Sequence, residues 1–175
     1  RPDVIVKGPG VVKTGKLSEY FEGIKGTAND PDYYLFEGSE PGGTMILWGG
    51  THPVEPAAYL APILMIENIK VTKGRVFIIP QINISSFGNT KIGIGDVSSF
   101  GIKTPWGERR FRFGGRGTNP IDSWPDPDVY TNYMTGQSLA GDESRNLNRT
   151  HPGRPNGYLT ERLSYALLQL VKKEK

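Results

Sequence analysis

The apolar positions of this chain fall into a few short runs separated by long stretches rich in glycine, proline and polar residues. Residues 45–48 (Met-Ile-Leu-Trp) form a continuous apolar run closed by Gly49 and Gly50, the pattern of a buried strand that ends in a tight turn. Residues 76–79 (Val-Phe-Ile-Ile) are β-branched and aromatic and predict a second central strand. Between them, residues 55–68 carry apolar side chains on nearly every face. That pattern predicts a helix buried against a sheet, with Pro56 in its first turn and a bend or break near 58–62 caused by Pro62. Strand, helix and strand in this order predict a βαβ unit with parallel pairing. Residues 33–36 predict a further strand, antiparallel to 45–48 and joined to it by a turn at 38–43. Near the end of the chain, Leu159, Leu163, Ala166, Leu167 and Leu170 share one side of a second helix at 158–171, whose negative end carries Lys172, Lys173 and Lys175.

Residues 88–143 break this regularity. They show neither helical nor strand periodicity but carry Trp106, Phe111, Phe113, Trp124, Tyr130 and Tyr133. A structureless stretch of this length is unusual inside a compact domain, and its aromatics predict an ordered excursion packed over a surface. The 175 residues are the size of one domain with a substantial core. The excess of basic over acidic residues is only three (21 minus 18), too mild to argue for nucleic acid. The cluster Arg109, Arg110, Arg112 and Arg116, interleaved with Phe111 and Phe113, lacks a complete recognition module, so no nucleic-acid partner is expected. There is no cysteine, so any metal site relies on histidine and carboxylate. No apolar run reaches the length of about 18 residues that crosses a membrane. The chain opens at Arg1 instead of Met, which leads us to expect processing upstream and leaves both the cytoplasm and the cell envelope open.

The candidate chemistry lies just past the 45–48 strand, where ligands of open α/β sheets bind. His52 and Glu55, three residues apart, bring an imidazole and a carboxylate to one side of a turn, within reach of one ion. The strand, Gly-Gly-Thr-His, Glu55 and apolar helix together resemble the zinc carboxypeptidase superfamily, and within it the succinylglutamate desuccinylase/aspartoacylase branch. A second stretch, Arg145-Asn146-Leu147-Asn148-Arg149-Thr150-His151-Pro152-Gly153, is similar to the Asp-Leu-Asn-Arg-x-Phe-Pro-Gly signature of the same family, with Asn146 in place of Asp and His151 in place of the aromatic.

The resemblance implies a three-layer α/β fold with a mixed central sheet and helices on both faces, incomplete at its C-terminus, with residues 88–143 as an irregular insertion beside the active site. It implies zinc as cofactor, His52 and Glu55 as its first two ligands, and a third ligand His and a catalytic Glu that this chain does not contain. Asn148 and Arg149 would grip a substrate carboxylate, a task that suits the planar fork of a guanidinium. Arg116, or alternatively Arg112 or Arg145, would polarise the scissile carbonyl. His151 is weighed as a third ligand but stands where the family places a packing residue, and Asn83 is a candidate for the loop lining the site. The implied reaction is hydrolysis of an amide beside a free carboxylate, in an N-acyl amino acid or a peptide. The rival reading is a non-catalytic binding or structural domain on the same scaffold. At least one sheet edge is expected to be left unpaired, and apolar surface near the 76–79 strand to be covered by the remainder of the polypeptide or another subunit.

Overall fold

A computed structural model describes residues 3–89 and 97–175; residues 90–96 of the expected excursion lie outside the described residues. Four strands form the main sheet: β1 (Val11–Lys16), β2 (Asp32–Glu37), β3 (Glu40–Trp48) and β4 (Lys73–Ile79), in the order β1-β2-β4-β3. Helix α1 (Ala57–Asn68) connects β3 to β4, and these two strands pair in parallel with Met45 opposite Val76 and Trp48 opposite Ile79, as the βαβ pattern predicts.

One pairing differs from expectation. β2 is antiparallel to β1 and β4 but does not touch β3, because β4 lies between them. Residues 38–43 therefore do not close a hairpin, and β3 begins at Glu40 with a register shift before Thr44. The 76–79 strand is not itself an edge: β4 is paired on both sides, and the unpaired edges among the described residues are β1 and β3. Both edges leave apolar side chains in solvent, Val12 56% exposed on β1 and Met45 51% and Trp48 38% exposed on β3.

Strand alternation sorts the core into layers. Tyr33, Leu35, Phe77 and Ile79 face α4 (Leu159–Lys173), packing on Leu163, Ala166, Leu167 and Leu170. Tyr34, Phe36 and Ile78 face the opposite way, onto Ile66 of α1. The result is a three-layer α/β structure with a mixed sheet.

Helix α1 packs on more than the sheet. Residues 88–143 hold a hairpin of β5 (Ser99–Thr104) and β6 (Gly107–Arg112), and Phe111 packs with Phe87 on Tyr59 and Ile63 in the first half of the helix, beside the stripe where Ile66 meets the sheet. The helix α2 (Pro120–Ser123) and a second hairpin, β7 (Val129–Thr131) with β8 (Ser138–Ala140), complete a stretch that shows no period in the sequence. Helix α1 passes through Pro62 without the expected break. Proline lacks the N–H that would bond the Ala58 carbonyl. The Gly49 backbone lies against that oxygen, so close that a Cβ on Gly49 would stand 2.0 Å from it. Gly50 follows with φ +67, a left-handed turn that lets the chain leave the strand and drop His52 behind the sheet edge.

Candidate functional site

Beyond its last paired residue, β3 stays tied to the β4 strand end. Gly49 N–H donates to Ile79 O at 2.8 Å, and Ile82 N–H donates to Gly49 O at 2.8 Å. The next turn closes when Glu55 N–H donates to His52 O at 3.0 Å, which brings the two side chains together. His52 is buried and Glu55 is largely in solvent, with Nδ1 of the ring 3.3 Å from Oε1 of the carboxylate.

The other ring nitrogen, Nε2, lies 2.9 Å from Oδ1 of Asn146, 94 residues later in the chain. Which of them donates follows from the remaining partners of Asn146. The backbone N–H of Asn148 donates to Oδ1 at 3.1 Å, while Nδ2 donates to the Glu143 carboxylate at 2.8 Å. A backbone N–H cannot accept and a carboxylate cannot donate, so the amide has one allowed orientation and its Oδ1 faces the ring. His52 therefore carries its proton on Nε2, and in the neutral ring Nδ1 presents a lone pair beside the Glu55 carboxylate. Two electron-pair donors held 3.3 Å apart call for a cation or a proton between them. Nitrogen and oxygen ligands at about 2.0–2.1 Å from a tetrahedral zinc would be roughly 3.3–3.4 Å apart, so this pair fits two corners of such a site. Among the described residues no third His, Cys, Asp or Glu joins them.

Asn146 also caps the short helix α3 (Leu147–Thr150), which it starts by accepting from Asn148 N–H. Leu147 is buried in the α4-side core and anchors this turn, leaving Asn148 exposed and Arg149 39% exposed. The Arg149 Nε is 3.8 Å from Glu143, the carboxylate that orients Asn146. Contacts thus run from His52 through Asn146 and Glu143 to Arg149.

The structure separates the remaining candidates. Arg112 is held by Asp3, whose carboxylate accepts from the Arg112 backbone N–H at 2.7 Å and from its Nε at 3.4 Å. Arg145 donates from Nε to both oxygens of Asp126 at 3.0 and 3.1 Å, and from Nη1 to Thr118 O at 3.1 Å. Arg116 is exposed and makes no ion pair among the described residues. Arg109 is taken by Glu67 and Arg110 by Glu108, so of the four arginines of the basic cluster only Arg116 has no carboxylate partner among the described residues. Asn83 is fully buried in a network with Asn29 and Thr118. His151 turns towards α4, its Nδ1 2.6 Å from the Ser164 hydroxyl, and burial pushes its pKa down.

Asn146 and Glu143 were not among the residues that sequence reasoning put in the site. The available signal was Asn146 two residues before Asn148, an N-cap pattern that marks a helix start but not its partner across the fold.

No protein-family model and no curated protein sequence matches the chain. Solved structures do. An aspartoacylase family protein from Mesorhizobium loti aligns with 97% of this chain at 17% identity and a TM-score of 0.50. This chain has that protein's fold. It spans 38% of that protein's length. A succinylglutamate desuccinylase/aspartoacylase from Rhodobacter sphaeroides and a succinylglutamate desuccinylase from Silicibacter sp. TM1040 are each 16% identical, with TM-scores of 0.46 and 0.43, and each match covers 83% of this chain and 30% of the other. No helix in the described residues is long and apolar enough to cross a membrane.

Proposed function

We propose that this chain supplies part of the active site of a zinc-dependent hydrolase that cleaves an amide bond beside a free carboxylate, as in an N-acyl amino acid or a peptide. The observation that carries the reading is the locked His52 ring, whose Nδ1 lone pair stands 3.3 Å from the Glu55 carboxylate. In this reading His52 and Glu55 hold the metal, and Asn146 keeps the imidazole in the tautomer that can bind it, as hydrogen-bond partners of metal-binding histidines do. Zinc, when bound, would polarise the scissile carbonyl and lower the pKa of a bound water. Arg149 and Asn148 orient the substrate by its carboxylate, and of the three candidate arginines Arg116 is the one without a partner among the described residues to give up. Further ligands come from outside the described residues. The β3 edge, with Met45 and Trp48 exposed, is where the rest of the polypeptide or another subunit would add to the sheet.

Titration with Co2+ followed by NMR tests the metal site without relying on turnover. Broadening centred on His52, lost in both His52→Ala and Glu55→Gln, is expected. Metal binding that survives both substitutions would overturn the assignment. For the reaction, N-acyl amino acids with a free carboxylate should be hydrolysed by the complete enzyme in preference to their carboxamides.

A further inference from the structure

The loop after Arg149 is held from outside by one hairpin turn. Asn132, directly after β7, donates from Nδ2 to the carbonyl oxygens of Arg149 at 2.8 Å and His151 at 3.0 Å. Its neighbour Tyr133 donates its hydroxyl to Gly153 O at 2.9 Å. Three alternate carbonyls of residues 149–153 are thus gripped by two adjacent side chains. Asn132 is 4% exposed, and its Oδ1 accepts from the backbone N–H groups of Met134 at 3.0 Å and Thr135 at 3.1 Å, an Asx turn that closes the hairpin. Two donor hydrogens and two acceptor sites are all used, and the backbone partners at each end allow the amide one orientation.

The loop needs such a grip because α3 is a single turn, and the carbonyls at a helix end have no partner within the helix. The contact of Arg149 with Glu143 is long, at 3.8 Å, so its guanidinium is set mainly by where its own backbone is held. We infer that Asn132 is a positioning residue for Arg149, and that the β7–β8 hairpin serves as the brace of a carboxylate-binding loop. The inference rests on the reading of Arg149 as the carboxylate anchor.

Asn132→Asp separates the brace from the hairpin. One carboxylate oxygen can still accept from Met134 and Thr135, while the other faces two carbonyls with no hydrogen to give. The probe is N-acetylglycine, titrated into this chain and followed at the Arg149 side-chain N–H by NMR, with uncharged N-acetylglycinamide as reference. Asn132→Asp should weaken N-acetylglycine binding about 10-fold or more, the scale on which small misplacements act, and leave N-acetylglycinamide unchanged. Tyr133→Phe, which removes one hydroxyl from a partly exposed ring, should act in the same direction by a smaller factor and keeps the test valid where the Asp variant is unstable. In the complete enzyme both should raise KM for acidic substrates with kcat little altered, a split that general loosening would not produce. Arg149→Ala abolishing the binding while Asn132→Asp and Tyr133→Phe leave it intact would overturn the inference alone. Binding indifferent to Arg149→Ala would overturn the anchor itself.

Discussion

Asn146→Ala removes three hydrogen bonds at once: those from Asn148 N–H, from His52 Nε2–H and to Glu143. Losing an Asn N-cap costs about 1 kcal/mol. Because His52 is only 2% exposed, its Nε2–H has no route to bulk water, and an unsatisfied buried donor costs about 1–3 kcal/mol. The sum, about 2–4 kcal/mol, lowers Tm by roughly 5–15 °C for a domain of this size. Loss of the ring's hydrogen-bond partner should also weaken metal affinity about 10–100-fold. Asn146→Asp separates these effects, since it keeps both acceptor contacts but sets a carboxylate against Glu143 at a separation of 2.8 Å. Adding Glu143→Gln returns a donor to that contact and should recover most of the lost stability. Thermal unfolding reads the stability, and long-range 15N spectra read the His52 tautomer, with His151 as the only other histidine in the chain. An Asn146→Ala protein that melts within about 1 °C of the parent, with His52 ring shifts unchanged, would refute the locking of the ring by Asn146.

Gly49→Ala should cost at least about 2 kcal/mol in urea unfolding, since its Cβ would meet the Ala58 carbonyl at 2.0 Å; a cost below about 0.5 kcal/mol would contradict the close approach. Arg145→Ala strands Asp126 and the Thr118 carbonyl in a half-buried setting and should cost about 2–3 kcal/mol, whereas exposed Arg116→Ala should stay within about 0.5 kcal/mol and act on activity alone. His151 has a folded-state pKa below its ordinary 6.5, so it binds fewer protons folded than unfolded as the solution becomes acidic. Its contribution to stability is complete above pH 6.5 and is lost as the pH falls from there through the lowered folded value. The pH dependence of urea unfolding should accordingly be shallower over that window in His151→Asn, and an unchanged slope would exclude this source.

The features legible in the sequence alone are those set by neighbours along the chain. The 45–48 and 76–79 runs and the two helices follow from side-chain periodicity, and parallel pairing follows from a helix standing between two strands. His52 and Glu55 could be paired because a three-residue turn brings any two such side chains together. Tertiary structure decided what those patterns leave open. Antiparallel and parallel neighbours are both available to β2, and in the folded sheet β4 lies between β2 and β3, with α4 and α1 packed on opposite faces. The hairpins within residues 88–143 show no alternation because one packs on a helix and the other holds polar carbonyls, so neither has a simple wet face and dry face. Asn146, Glu143 and Asn132 matter through hydrogen bonds whose partners are chosen in space. An asparagine carries both donor and acceptor, and nothing in the residues beside it tells which end will meet a histidine 94 positions away.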